Sequence, residues 1–215
     1  MGRYIVRAMS EAGLEGFAAG ASPFSPTGPC DGLNRADISY FPWDANGYRP
    51  EASAWVGWGE AGLYVIMASR EARIRCLEDK IGGSVCVDSC LEFFLTPSPD
   101  RGPSYVNVEV NPCAVSHVGV GDGRHGRYVY DSDSEGFGFR SQIVRGEWWS
   151  VSYALPARFL RERFGAELRS GLSMRGNFYK CGDGAERPHW GMWSPYDLAR
   201  ADFHRPELFA DITLE

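Results

Sequence analysis

A row of hydrogen-bonding side chains occupies every second position of the segment YVNVEVN, residues 105–111. Tyr105, Asn107, Glu109 and Asn111 share one face of the strand that this alternation predicts, and valines share the other face. A ring, two amides and a carboxylate in one row can hydrogen-bond the hydroxyls of a polyhydroxylated ligand. The valines predict a hydrophobic core beneath the opposite face.

A second carboxylate, Glu92, lies in the apolar segment DSCLEFFL at residues 88–95. Burying a carboxylate is costly unless it is paired, and Arg73 or Arg75 is a candidate partner. A buried ion pair between strands and a ligand contact both fit this pattern. Glu92 and Glu109 are also candidates for the paired carboxylates of a glycoside hydrolase of the xylanase kind.

Two tryptophans, Trp190 and Trp193, lie in the irregular segment PHWGMWSP. Loop tryptophans often cover the edge of a core. They can also form a stacking platform, because the C–H faces of sugar rings pack on indole while the hydroxyls require polar partners. Both interpretations remain open for this segment.

Metal-ligand patterns are sparse in the chain. Of the six cysteines, only Cys86 and Cys90 are close in sequence, and no CxxC occurs. This spacing favours buried free thiols in a reducing compartment over a zinc site. The acidic segment DSDSE at residues 131–135 is oxygen-rich but lacks the EF-hand pattern, so structural calcium stays an option and no cofactor is expected.

Composition limits the classes of partner. The 215 residues carry a net charge of -6, which gives no reason to expect nucleic-acid binding. No run of about 18 apolar residues predicts a membrane span. The first residues show no signal-peptide pattern, so we expect either a cytoplasmic protein or a processed exported form.

Short strands separated by Gly- and Pro-rich turns must position these side chains. We predict an irregular segment over about residues 1–50, a Gly-rich loop over 119–127 and a helix over 156–164 with an apolar stripe. The predicted strands are residues 53–58, 63–68, 85–95, 105–111, 137–144, 148–154 and 172–181, with a closing strand in the tail. The expected fold is all-β, a jelly-roll or immunoglobulin-like β-sandwich of two antiparallel sheets with one short helix, formed by residues 1–215 as a single domain.

Five segments follow one another in the order DSCLEFFL, YVNVEVN, GEWWSVSYALPARF, RGNFYKCGD and PHWGMWSPYDLARADFHRPELF. Together they resemble carbohydrate-binding family 9-like proteins over residues 40–213. The resemblance implies a jelly-roll sandwich of the wider DOMON group that binds sugar without cleaving it. It also implies structural calcium in some relatives and haem in others, the latter with axial ligands such as Met67 or His117.

The resemblance implies a saccharide or polysaccharide fragment as the ligand. One clamping tryptophan of the family pattern is replaced here by SVCV at residues 84–87, and Trp43 or Tyr48 is a candidate substitute. The residues expected at the site combine stacking rings, hydrogen-bonding side chains and rim residues. They are Trp190, Trp193, Arg75, Glu92, Asn107, Glu109, Asn111, Tyr179 and Lys180.

Overall fold

The computed structural model describes residues 2–9, 22–26, 28–43, 46–71 and 73–215, so part of the predicted N-terminal irregular segment lies outside the described residues. The chain is mainly β, as predicted. The strands are β1 (Arg3–Ala8), β2 (Arg35–Asp37), β3 (Glu51–Gly59), β4 (Gly62–Arg70), β5 (Cys90–Thr96), β6 (Tyr105–Val110), β7 (Ser116–Gly121), β8 (Tyr128–Tyr130), β9 (Arg140–Val144), β10 (Trp148–Pro156), β11 (Ser173–Cys181), β12 (Trp190–Met192) and β13 (Ala210–Leu214).

The strands form one hydrogen-bonded path with β1 at its junction. Its order is β8-β7-β6-β5-β11-β13-β1-β3-β4-β10-β9, with β12 beside β11 and β2 beside β3. The first part of β1 pairs with β13 and its last residues pair with β3, both in parallel. The prediction of two purely antiparallel sheets is therefore wrong at β1, which carries hydrogen bonds to both halves of the path.

Both halves of this path contribute to one hydrophobic core. Val106, Val108 and Val110 of β6 belong to the same buried cluster as Val65 and Met67 of β4. The sheet path must therefore curl so that its two halves share their apolar faces. The predicted valine face of residues 105–111 is confirmed as a core face.

The helix α1 (Ala157–Phe164) follows β10 directly. Pro156 precedes its first turn, and Gly165 ends it in the left-handed region at φ 65°. Phe159, Leu160 and Phe164 are buried against the core, which confirms the predicted apolar stripe. No helix in the described part of the chain is long and apolar enough to cross a membrane.

Two predicted boundaries differ in the structure. Val85–Val87 forms a single 3-10 turn, so β5 begins only at Cys90. The reason is Asp88, whose Oδ2 accepts hydrogen bonds from the backbone N–H groups of Leu77 and Glu78 and holds this stretch outside the sheet. Similarly, β7 extends to Gly121, so the first residues of the predicted 119–127 loop belong to a strand.

Two of the six cysteines are bonded to each other. Cys76 and Cys113, whose Cα atoms lie 6.3 Å apart, form a disulfide. The expectation of free thiols is therefore wrong for this pair, because the turn after β6 brings Cys113 beside the segment that follows β4. Cys30, Cys86, Cys90 and Cys181 are free thiols.

Candidate functional site

Polar side chains cross the face of β7, β6, β5 and β11 that points away from the core. The strand register places His117 opposite Glu109, Glu109 opposite Glu92, and Glu92 opposite Tyr179. Directly opposed residues on antiparallel strands have Cβ atoms about 4.5–5.5 Å apart. The fold thus brings Glu92 and Glu109 side by side, with a histidine next to the pair.

A cleft of about 400 Å³ lies over this polar row. Its floor is the outer face of the sheet, and its rim comes from the segment before β5 and from the loops after β7, β11 and β12. Charged, aromatic and sulfur-bearing side chains line it. They are Cys86, Glu92, Glu109, His117, Arg124, Arg127, Cys181, Asp183, Trp190, Asp202, Phe203 and His204.

The two glutamates on the floor differ in their electrostatic surroundings. Burial and the neighbouring charge of Glu109 raise the pKa of Glu92 well above its usual value. Burial also raises the pKa of Glu109, but His117, Arg127 and a hydrogen bond from Asn107 oppose that change. The proton of the pair therefore favours Glu92, which becomes a donor, while Glu109 is the better acceptor.

Arg127 connects one wall of the cleft to its floor. Its Nη1 donates to Asn107 Oδ1 at 2.9 Å and to His204 Nδ1 at 2.7 Å. Asn107 Nδ2 in turn donates to Glu109 Oε1 at 2.8 Å. Burial and the repulsion of Arg127 lower the pKa of His204 to about 3, so this ring is neutral near pH 7.

His117 directs an unpaired ring nitrogen toward the cleft. Its Nδ1 lies 3.0 Å from the carbonyl oxygen of Gly82, and because a carbonyl only accepts, Nδ1 carries a proton. Its Nε2 is buried and has no hydrogen-bond partner among the described residues. A ligand hydroxyl can satisfy this nitrogen, because buried polar atoms are otherwise nearly always paired.

Trp190 is the half-buried aromatic residue of the cleft. Its Nε1 donates to Asp183 Oδ1 at 2.7 Å, which fixes the orientation of the indole. Phe203 is the other lining ring, and it stacks on Tyr179 with centroids 4.0 Å apart. The cleft therefore has one tryptophan wall.

The predicted site residues divide between the cleft and its supports. Trp190, Glu92 and Glu109 line it, and Asn107 lies just beneath, held between Glu109 and Arg127. Asn111 lies outside the cleft lining. Its amide instead bonds the backbone of its own turn and the carbonyl oxygen of Glu78.

Arg75 also lies outside the lining, and it does not pair with Glu92 as predicted. It donates to Val87 O at 3.1 Å and lies 3.4 Å from Asp88 Oδ1. Arg73, the other predicted partner, pairs with the exposed Glu186. The nearest hydrogen-bonding group of Glu92 is the Cys181 thiol, so the carboxyl is neutralised by a proton rather than by an arginine.

Three further residues predicted for the saccharide site do not line the cleft. Trp193 contacts the rings of Tyr4 and Phe178 on the core side. Tyr179 is fully buried under Phe203. Lys180 points to the opposite face of β11 from Tyr179 and is fully buried, with Nζ 3.3 Å from Glu71 Oε2.

The candidates for the missing clamping tryptophan do not line the cleft, and the two candidate haem ligands lie apart. Trp43 packs on Tyr196 and donates to Leu198 O, and Tyr48 lies over His189. Met67 is buried in the core, separated by the sheet from His117 in the cleft. Met67 and His117 therefore cannot serve as a pair of axial ligands.

Sequence reasoning did not assign Arg127, His204, Asp183 or the unpaired Nε2 of His117 to the saccharide site. Arg127, His204 and Asp183 come from loops, where no periodic pattern marks the direction of a side chain, and His117 comes from β7. The sequence marked these residues only by their type. Their convergence depends on pairings between strands that are distant in sequence.

Of the sequence comparisons, the one with family models gave a match and the one with curated proteins gave none. The chain matches the family model "Carbohydrate-binding family 9" over residues 30–214. A search of curated proteins found no significant match.

Solved structures share the fold. A proposed carbohydrate-binding protein from Bacteroides uniformis ATCC 8492 aligns over 99% of both chains at 26% identity with a TM-score of 0.80. A family 9 module from Caldicellulosiruptor kristjanssonii in complex with glucose aligns over 100% of this chain and 96% of its own, at 14% identity and a TM-score of 0.67. The same module type in complex with cellotriose gives 13% identity, coverage of 100% and 94%, and a TM-score of 0.66.

Proposed function

Because this chain belongs to carbohydrate-binding family 9, we propose that its cleft binds a saccharide without cleaving it. The observation that carries the proposal is an oriented indole, Trp190, beside a floor that offers both donors and acceptors. The cleft volume of about 400 Å³ lies within the range of roughly 300–1,000 Å³ typical of small-ligand sites.

Trp190 supplies the stacking surface for the ligand. A pyranose ring presents C–H groups on its faces, and these pack against the indole π-system. Asp183 holds the indole by its N–H, so little side-chain freedom is lost when the sugar binds. The described lining has no second tryptophan to cover the other side of the ring.

The floor supplies hydrogen bonds to the sugar hydroxyls. Glu109 accepts, the protonated Glu92 and Arg127 donate, and the unpaired His117 Nε2 is available to a further hydroxyl. A hydroxyl is both donor and acceptor, so neighbouring hydroxyls on one sugar match this mixed arrangement. Asn107 keeps Glu109 and Arg127 in position and does not itself need to touch the ligand.

Calorimetric titration with a glycan panel that includes glucose and cellotriose tests the proposal. The panel is suggested by the complexes of the related modules. We expect Trp190→Ala to weaken the binding of the best ligand by about 10-fold, because a stacked ring contributes roughly 0.5–1.5 kcal/mol beyond its buried area. Tyr128→Ala is the matched control, since Tyr128 is 67% exposed and outside the cleft.

Two results would contradict saccharide binding in this cleft. One is a folded protein that binds no glycan of the panel. The other is a ligand whose affinity is the same for the unmodified protein and for Trp190→Ala. A loss of affinity in Tyr128→Ala would point to a different surface.

A glycoside hydrolase is the second candidate, because Glu92 and Glu109 are adjacent and have unequal proton affinity. Both lie on the floor rather than on opposite sides of the cleft, whereas hydrolysis requires two carboxyls that flank the scissile bond. We therefore expect no turnover of aryl glycosides. Turnover that disappears in Glu109→Gln would favour the hydrolase.

We also propose that residues 1–215 form a single jelly-roll β-sandwich domain. The shared core of the two sheet halves and the β1 junction support this arrangement. The structural likeness to the family 9 modules supports it as well, since they align over nearly their whole length.

A further inference from the structure

Two thiols and a carboxyl converge at the floor of the cleft. The ligand atoms of Cys90, Glu92 and Cys181 all lie within 4.8 Å of one another. Cys90 is directly opposite Cys181 on the neighbouring strand, and Cys181 Sγ lies 2.7 Å from Glu92 Oε1. All three side chains are at least 98% buried, with exposed fractions of 0%, 2% and 1%.

All three groups of this cluster are acids that share one buried position. Burial raises the pKa of Cys90 to about 11. Burial also raises the pKa values of Cys181 and Glu92. The three groups are therefore protonated and crowded together when no cation is bound. Lys180 Nζ lies behind them on the core side, where it donates to Cys181 O at 2.7 Å.

We propose that Cys90, Cys181 and Glu92 together bind a zinc ion beside the saccharide cleft. Thiolate and carboxylate are established zinc ligands, and two thiolates select against calcium and magnesium. In a tetrahedral site the ligand atoms are about 3.5 Å apart. Cys181 Sγ and Glu92 Oε1 are 2.7 Å apart and no pair exceeds 4.8 Å, so only small shifts of the side chains are needed.

Zinc has a route to this position and an open place in its coordination shell. Glu92 and Cys181 line the cleft, and so does the partly exposed Cys86. The fourth position therefore faces the cleft, where Cys86 or water completes the set. Binding releases the two thiol protons and the carboxyl proton to solvent, leaving two thiolates and a carboxylate on the metal.

Zinc and a sugar hydroxyl compete for Glu92, because a zinc-bound carboxylate has no proton to donate, so the test of the zinc site uses no sugar. Reduced, metal-free protein is titrated with zinc in competition with a chromophoric chelator, and in parallel with cobalt. We expect a single zinc ion per chain, thiolate-to-cobalt charge-transfer bands, and a higher thermal midpoint with zinc. Cys90→Ser and Cys181→Ser should each weaken zinc binding on the order of 100-fold or more and remove the cobalt bands.

Cys30→Ser is the matched control, because Cys30 is a buried free thiol in a separate cluster. A Cys76→Ser/Cys113→Ser double variant excludes the thiols that reductant releases from the disulfide. Both controls should retain full zinc binding.

If Cys90→Ser or Cys181→Ser fails to fold, the cobalt spectrum of the unmodified protein still tests the proposal. The absence of thiolate-to-cobalt bands in that spectrum would overturn it. A Cys90–Cys181 disulfide in the isolated protein, followed by no zinc uptake after reduction, also overturns it. Zinc binding that is equally tight in folded Cys181→Ser and in the unmodified protein would overturn it as well.

Discussion

At the scale of single residues, the buried Glu92–Glu109 pair controls the charge of the cleft floor. Two carboxyls in register repel each other when both are ionised, so one of them retains its proton. Arg127 and Asn107 favour the charged form of Glu109, whereas Glu92 has a thiol as its hydrogen-bond partner. The fold thereby makes two chemically identical side chains into one donor and one acceptor.

This asymmetry predicts a pH-dependent effect of Glu92→Gln. A raised pKa in the folded state means that the folded protein binds more protons than the unfolded chain above about pH 4.3. The stability from protonated Glu92 is thus complete below that pH and is lost as pH rises through the raised value. Glu92→Gln lacks this loss, so it should gain at least about 1 kcal/mol relative to the unmodified protein at alkaline pH.

Denaturant unfolding from pH 4 to pH 9, with chelator present to exclude metal, measures this difference. Glu60→Gln removes an exposed carboxylate and should change little across the range. A Glu92→Gln difference that is constant with pH would contradict the assigned protonation.

At the scale of elements, the close approach of β6 and β7 shapes the site. A Cβ on Gly119 of β7 would lie 2.6 Å from Asn107 Oδ1 and 3.4 Å from His117 Nε2. Asn107 can therefore reach both Glu109 and Arg127 only because residue 119 has no side chain. The geometry of the cleft floor therefore requires glycine at position 119.

Gly119→Ala should consequently displace Asn107 and weaken both the site and the fold. We expect a loss of about 1–3 kcal/mol in unfolding free energy, typical of overpacking, and reduced glycan affinity in calorimetry. Gly123→Ala, where no atom lies within 4 Å of the new Cβ, should stay within about 0.5 kcal/mol. Unchanged glycan affinity in a folded Gly119→Ala variant would argue against the supporting role of Asn107.

At the scale of the whole molecule, β1 connects the two halves of the strand path. Tyr4 of β1 is 3% exposed, and its hydroxyl donates to Asn34 O and accepts from Val56 N. This residue links β1 to β3 and to the segment before β2. Since both halves share one core through this junction, they should unfold together.

Tyr4→Phe removes the hydroxyl and leaves buried backbone groups unpaired. We expect a loss of about 1–3 kcal/mol in unfolding free energy. In each protein, unmodified or variant, tryptophan fluorescence and far-ultraviolet circular dichroism should report one common midpoint. Tyr128→Phe, at an exposed ring, should leave the midpoint unchanged. Separate transitions for the two probes would contradict the single-domain proposal.

The limits of sequence reasoning appear at β11. Alternation along a strand means that neighbouring residues point to opposite faces, so Tyr179 and Lys180 cannot line the same rim. The structure places Tyr179 on the cleft side of the sheet and Lys180 in the core, beside Glu71. Trp193 is similar: its type suggests stacking, but its contacts with Tyr4 and Phe178 are decided by where β1 pairs.

The sequence alone determined the features that depend on neighbouring residues. These are the two faces of residues 105–111, the helix between Pro156 and Gly165, and the ordered segments that resemble the family. Tertiary structure decided which faces meet: Glu92 beside Glu109, Arg127 on Asn107, and Cys90 opposite Cys181. Local patterns arise from the period of the backbone and from helix capping. The contacts between distant residues depend instead on strand register, which is set by the packing of the whole core.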